Sequence, residues 1–201
     1  MNCLMKNKFG IIILAAGGSA RMGRPKQTLT FKRQTFLGRI VSTAASLNCG
    51  PVILVLGSNA PLFSEDHENA IAVINDNWQE GMASSLCCGV KTLLEKYPSI
   101  EGAIITVCDQ PHVTVSLLHK MLDTHRRSLL PIVACSYGNT IGTPVLFHHS
   151  IFSELLQLRG DKGAKQIVNK DKERVGLVEF PLGSVDVDTE QDYVRLLQNE
   201  N

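Results

Sequence analysis

No run of apolar residues in this 201-residue sequence approaches the roughly 18 that a membrane-spanning helix needs. There is no linker rich in proline, glycine or serine, no internal repeat and no low-complexity segment. A single α/β domain over residues 1–201 is therefore expected. Neither charge is in excess: 20 basic residues face 19 acidic ones, a net +1. That balance argues against wholesale binding to nucleic acid or to an acidic membrane, so any cationic function must be local. The six cysteines, at positions 3, 49, 87, 88, 108 and 135, form no CxxC pair and no His/Cys metal spacing. Most lie in apolar settings, which predicts buried, reduced thiols and a cytoplasmic location. Cys87 and Cys88 read more simply as core thiols than as a redox device. Lysines ahead of Ile11–Ala16 mimic a secretory leader, but that run is too short and opens straight into a glycine-rich loop.

What is present is ordinary globular composition, 44% hydrophobic and 19% charged. Apolar runs predict strands at 9–15, 51–56, 71–74, 102–108, 131–135, 143–148 and 175–180. Helical patterns occupy about 36–48, 83–97, 114–127, 150–158, 162–169 and 190–198. Strands as apolar as IIIL, VILVL and AIITV must be buried on both faces, which predicts a mainly parallel sheet with helices on both sides. In such a sheet, ligands collect beyond the carboxyl ends of the strands. The loops to watch are then 16–26, 57–60, 75–85 and 109–113.

The first of these, in "IIILAAGGSARMGRPKQTL", is glycine-rich and cationic. It is not a Walker A loop: Gly18 and Gly23 have the spacing, but Arg24 and Pro25 follow where Lys and Ser/Thr are required. The dinucleotide pattern GxGxxG is absent too. Gly17 and Gly18 permit close backbone approach and positive φ, so successive amides can point at a base or phosphate. Pro25 stiffens the chain just before Lys26 and fixes where its ammonium points. The plainer reading is a solvated basic turn.

Asp109 follows the buried run AIITVC and stands at the carboxyl end of a central strand, with Pro111 ending the strand. An acid there is a poor core residue unless it is paired or binds a metal. Capping of helix 114–127 is the other reading, although Thr114 and His112 lie nearer that helix. In "VDVD", Asp186 and Asp188 point the same way from an extended segment. They can complete a metal site, or Asp188 or Thr189 can cap helix 190–198. "INDNWQEGMASSL" places Asn75, Ser84, Ser85 and the sole Trp, Trp78, near a helix start. These read as a base pocket, or as a Ser84 cap and a core plug. "GTPVLF" reads as a turn entering a strand with Pro144 at its start. "RGDKGAKQIV" starts a helix at about Lys162 with Asp161 as a plausible cap, and its Lys162, Gly163 and Lys165 can hold an anion. His112, His119, His125, His148 and His149 are scattered and carry no assigned chemistry.

"LAAGGSARMGRPK" resembles the signature LAAGxSxRMGxxK of the nucleotidyltransferases that complete the molybdenum cofactor. "NDNWQEGMASSL", "CDQP", "GTPVLF", "GDKGAK" and "VDVDTEQDY" follow in the family's order, so the resemblance covers residues 11–193. LAAG and GMASSL, in place of the LAGG and Gly-Pro-Leu-Ala-Gly-like turn of guanylyltransferases, point to the cytidylyltransferase branch. The resemblance implies a three-layer α/β/α, Rossmann-like nucleotide-diphospho-sugar transferase fold. It implies CMP transfer from CTP to the molybdopterin cofactor, Mg²⁺ as cofactor, and transient contact with a molybdoenzyme or its chaperone. Arg21, Lys26 and Asp109 are then catalytic. The nucleotide falls to Leu14, Ala15, Ala16, Gly17, Gly18, Arg21, Lys26, Asn75, Gly81, Ser84 and Ser85. The acceptor falls to Gly142, Pro144, Asp161, Lys162 and Gly163, and the metal to Asp109 with Asp186 or Asp188. Two rivals remain: the same chemistry on GTP or a sugar phosphate, and a non-enzymatic nucleotide- or cofactor-holding chaperone.

Overall fold

A computed structural model describes residues 8–58, 60–63, 68–161 and 163–199. Its elements run β1 Phe9–Ala15, β2 Thr30–Phe31, β3 Gln34–Thr35, α1 Phe36–Leu47, β4 Val52–Leu56 and β5 Ile71–Ile74. Then follow α2 Met82–Lys96, β6 Gly102–Val107, α3 Val115–Ser128, β7 Ile132–Tyr137 and β8 Thr140–His148. The chain continues with α4 Phe152–Leu155, α5 Lys165–Lys170, β9 Val175–Glu179 and α6 Glu190–Gln198. Seven strands form one sheet in the order β5-β4-β1-β6-β8-β7-β9. All are parallel except β8, which runs antiparallel to both β6 and β7. The expected mainly parallel α/β sheet is therefore present.

Strand β1 shows why. All seven of its residues are buried. Ile11 and Ile13 join one core with Leu54, Leu56 and Ile104, against α1 and α3. Ile12 and Leu14 join the opposite core with Ile53, Val55 and Ile105, against α2, α4 and α5. Side chains alternate across a strand, so a continuous apolar run is needed to fill both layers. A third, smaller cluster of Met22, Leu29, Phe31, Phe36, Val187 and Leu196 sits beside this sandwich. It packs α6 and the β2–β3 hairpin together, and the Tyr193 hydroxyl donates to the Thr30 carbonyl at 2.7 Å. The hairpin lacks a long apolar signal, and its two-residue strands were not expected from the sequence.

Three local expectations change. The helix expected at 150–158 is only four residues of α-helix after a 3-10 turn. The chain then leaves the helix in a tight turn, Leu158 N donating to Leu155 O at 3.2 Å, and Cys87 Sγ also lies 3.4 Å from Leu155 O. The helix expected from Lys162 starts at Lys165, with Ala164 rather than Asp161 at its cap position. Gly160 and Gly163 hold left-handed backbone, φ +75 and +52, which delays it. Pro144 does not begin its strand. It lies within β8, where the register shifts so that Val145 pairs with Ala134 and Gly142 with Cys135. A proline has no amide to give a ladder, and an irregularity accommodates it.

Among the described residues no helix is long and apolar enough to cross a membrane. Cys49, Cys87, Cys108 and Cys135 are buried, Cys88 is half-buried, and all five are free thiols. Cys3 lies outside the described residues.

Helix α2 lies close on the sheet at Gly89. A Cβ there would sit 2.5 Å from Ile12 Cγ2 and 3.0 Å from Val55 Cγ2. Replacing a mid-helix glycine by alanine gains about 1 kcal/mol of helix propensity, while overpacking a well-filled core costs about 1–3 kcal/mol. Gly89→Ala should therefore lower stability on balance, read as a lower urea midpoint at unchanged m-value. A variant more stable than the parent would mean that α2 does not rest on β1 and β4 this closely.

Candidate active site

The chain leaves β1 at Ala15 and forms the loop that the sequence singled out. Its left-handed residues are Ser19 (φ +52) and Gly23 (φ +72), not Gly17 and Gly18 as expected. The turn is made by the Ser19 carbonyl, which accepts from Met22 N at 2.9 Å and Gly23 N at 3.2 Å. Gly18 lies close under Trp78 instead: a Cβ there would come within 3.3 Å of its ring. A Cβ on Gly17 would meet no protein atom within 4 Å, so the space above that backbone is open to a ligand. Three attachments hold the loop. Met22 is buried in the third core, Ser19 Oγ accepts from Lys26 N at 3.1 Å, and Gln27 Nε2 donates to Ala15 O at 2.7 Å. Gln27 thus joins the loop's exit to its entry, and its Oε1 is buried without a partner. A glutamine beside a lysine reads as surface in sequence, so its role was missed.

Pro25 leads into a 3-10 turn at Lys26–Thr28. From there the Lys26 side chain, 13% exposed, reaches Asp109 Oδ2 at 3.3 Å and closely contacts Asp188 Oδ1. Arg21, mostly exposed, takes Asp188 Oδ2 at 2.8 Å. Burial alone would lower the Lys26 pKa, but Asp109 and Asp188 outweigh it and raise it, so the ammonium stays charged. Burial alone would raise the Asp188 pKa, but Lys26 and Arg21 bring it below the ordinary value. Asp186 is raised, first by burial and then by the charges of Asp109 and Asp188. Val187 N donates to Asp109 O at 3.2 Å, which holds the two acidic segments side by side. Helix α6 is capped by Thr189, whose hydroxyl and Asp192 form a reciprocal pair, so Asp188 is left for the cleft.

These charges lie where two cavities meet. One, of 490 Å³, is lined by the loop from Ala15 to Arg21 with Lys26, Gln27, Trp78, Gln79, Gly81 and Ser85. The other, of 550 Å³, has apolar walls that include Leu86, Ile105, Ile141 and Val168, and a polar end of Gln110, Tyr137, Thr143 and Asp186. Leu14, Arg21, Asp109, Asp161 and Asp188 line both. Burial raises the Tyr137 pKa, against the pull of Gln110 and Thr143. Cys108 also borders the first cavity, and burial pushes its thiol up to about 12, which removes it as a nucleophile.

The remaining candidates divide. Ser85 lines the first cavity, whereas Asn75 and Ser84 line a neighbouring hollow with Cys87, Cys88 and Arg159. Asn75 is fully engaged: Nδ2 donates to Ser84 Oγ at 2.9 Å and to Ser85 Oγ at 3.0 Å, and Oδ1 accepts from Asn77 N at 3.1 Å. It positions the start of α2 rather than facing the cleft. Gly142 lines the second cavity, as does Lys165, whose Nζ lies 3.3 Å from Thr140 Oγ1. Pro144 and Gly163 line neither, although Gly163 packs against Met82, which lines both. Lys162 lies outside the described residues.

Among the described residues no three His, Cys, Asp or Glu side chains are gathered into a set able to hold a metal ion by themselves. Asp109 and Asp188 nonetheless fit Mg²⁺, which is bound through one or two carboxylates with phosphate and water supplying the rest. An ammonium already rests between them, so the position is one where positive charge is stabilised.

Residues 11–175 match the sequence pattern of the MobA-like NTP transferase domain. The nicotine blue oxidoreductase of Paenarthrobacter nicotinovorans is 27% identical over 92% of this chain and 95% of its own. The crystal structure of Rv0371c from Mycobacterium tuberculosis H37Rv superposes with a TM-score of 0.80 at 30% identity, covering 96% of this chain and 99% of that one. The same protein in complex with manganese gives a TM-score of 0.73 at 27% identity, with 96% and 99% covered.

The Asn75 network makes a stability prediction. Removing a buried side chain that makes three hydrogen bonds should cost about 1–3 kcal/mol, because its partners lose theirs as well. Asn75→Ala should show that loss in denaturant unfolding, and Ser85→Ala, which deletes one bond, should lose less. Equal stability of Asn75→Ala and the parent would mean that the network does not hold α2 in place.

Proposed function

The chain belongs to the family of MobA-like NTP transferase domains and is a nucleotidyltransferase, and we propose that it transfers CMP from CTP to the terminal phosphate of molybdopterin, releasing pyrophosphate. One observation carries the proposal. Two cavities of substrate size meet at a single charged cluster, Arg21, Lys26, Asp109 and Asp188. Transfer between two substrates needs such a junction, because the reacting atoms must be brought together in one orientation. The glycine loop and its cations suit the triphosphate, and the apolar second cavity with its polar end suits the ring system of the acceptor. The choice of cytosine rests on LAAG and GMASSL in residues 14–17 and 81–86.

The chemistry asks little of a general base. A phosphomonoester oxygen is already anionic near neutral pH, since its second pKa is roughly 6. It attacks the α-phosphorus, the bond to the bridging oxygen breaks, and pyrophosphate leaves with the electron pair. The difficulty is bringing anions together. Lys26 and Arg21 neutralise the phosphates and the departing charge. Asp109 and Asp188 would hold Mg²⁺, with Asp186 on the wall of the same cavity, and the ion when bound would offset charge on the phosphate oxygens. The manganese complex of Rv0371c supports a divalent cation in this fold. The five cysteines among the described residues are all free thiols, which supports a cytoplasmic setting.

The relative from Paenarthrobacter bears an oxidoreductase's name, and the clustered cations and carboxylates favour phosphate chemistry here. Two measurements test the proposal. With Mg²⁺ present, CTP should raise the melting temperature more than GTP, ATP or UTP, since ligand at 100 times its dissociation constant adds about 2.7 kcal/mol. A larger shift with GTP would overturn the choice of cytosine. Asp109→Asn should keep the fold but abolish pyrophosphate release from CTP and molybdopterin, and near-normal release by that variant would sink the assigned metal site.

A further inference from the structure

We propose that Lys26 is a tethered cation that competes with the metal for Asp109 and Asp188, so that a divalent ion binds tightly only when a triphosphate draws the ammonium away. The inference deepens the nucleotidyltransferase reading and rests on it for the role of the two carboxylates.

The geometry is specific. Lys26 Nζ contacts one oxygen of Asp109 and one of Asp188, while Arg21 takes the other oxygen of Asp188 at 2.8 Å. Both oxygens of Asp188 are thus committed to cations of the chain. An ion held by Asp109 and Asp188 together would compete with Lys26 for both carboxylates. The Lys26 side chain is 13% exposed and its two carboxylate partners 27% and 33%. Metal alone must therefore outcompete a tethered cation for both carboxylates, and a triphosphate relieves that competition by giving the ammonium new partners.

The same residue has somewhere to go. Its backbone is held by Ser19 Oγ and by the turn after Pro25, but its four-carbon stem is flexible and carries a compact charge. Lys26 lines the cavity whose loop includes the open face above Gly17. A triphosphate laid along that loop offers oxygens to Lys26 and Arg21 together, and frees Asp188 at the moment its own oxygens can share the ion. Metal and nucleotide should then bind with positive coupling, each raising the affinity for the other by the same factor.

The test uses Mn²⁺ alone, followed by its electron paramagnetic resonance signal, on full-length protein without nucleotide. Wild type should bind Mn²⁺ weakly. Lys26→Met should bind it at least tenfold more tightly. Arg21→Met removes the same charge from the same carboxylate without vacating the position between Asp109 and Asp188, so its gain should be clearly smaller. Adding Asp109→Asn to Lys26→Met should return affinity to the wild-type level. Lys26→Gln provides a second variant if circular dichroism shows that Lys26→Met does not fold. Equal gains in the Lys26 and Arg21 variants would reduce the effect to a change of local field and overturn the proposal. So would wild type that binds as tightly as Lys26→Met. Because no nucleotide is present, failure here leaves the choice of CTP untouched, and failure of the CTP assay leaves this result standing.

Discussion

Lys26 reaches across the carboxyl end of the sheet to carboxylates 83 and 162 residues further along the chain. Its short loop, the end of β6 and the segment before α6 are thereby joined around one ammonium. Arg21 adds a second cation to Asp188, and Asp186 stands nearby with its charge disfavoured by burial and by its neighbours. Positive charge is favoured within the cluster, since, against burial, Asp109 and Asp188 raise the Lys26 pKa. That condition explains why the loop must be held in place. Met22 in the third core, Ser19 on the Lys26 amide and Gln27 on the Ala15 carbonyl each fix where the two cations can reach.

The rest of the fold serves that placement. Two cores lie on opposite faces of the sheet, so β1 and β6 are rigid and end at defined points. Their carboxyl ends put Ala15 and Asp109 beside one another. The antiparallel β8 beside β6 then contributes Gly142, Thr143 and Val145 to the second cavity. The cleft is divided by its own charges: glycine backbone, Trp78 and Ser85 on one side, an apolar wall with Tyr137 and Gln110 on the other. This division lets one small domain present two chemically different surfaces to two substrates.

Much of the architecture could be read from local pattern. Strands such as IIIL and VILVL are apolar on both faces and admit few other environments, and α1, α3 and α6 follow amphipathic runs that begin at Thr35, Thr114 and Thr189. The elements that local pattern does not give are closed by other contacts. Tight turns end α4, with the Cys87 thiol at the Leu155 carbonyl, and the irregularity at Pro144 depends on how β7 and β8 pair. The two left-handed residues of the opening loop are Ser19 and Gly23, because the turn closes on the Ser19 carbonyl and not at the paired glycines.

The alternation of buried strands and amphipathic helices, the cationic loop after β1 and Asp109 after β6 can all be read along the chain. Those features depend on hydrophobic periodicity and chain order, which are local. The packed fold is needed to put Lys26 between Asp109 and Asp188, Gln27 across the loop, Asn75 against the start of α2, and Tyr137 and Gln110 at the polar end of the second cavity. Each of these is a contact between segments far apart in the chain. A residue's type and spacing state what it can bind, but which partner it meets depends on how the packed layers bring the strand ends together.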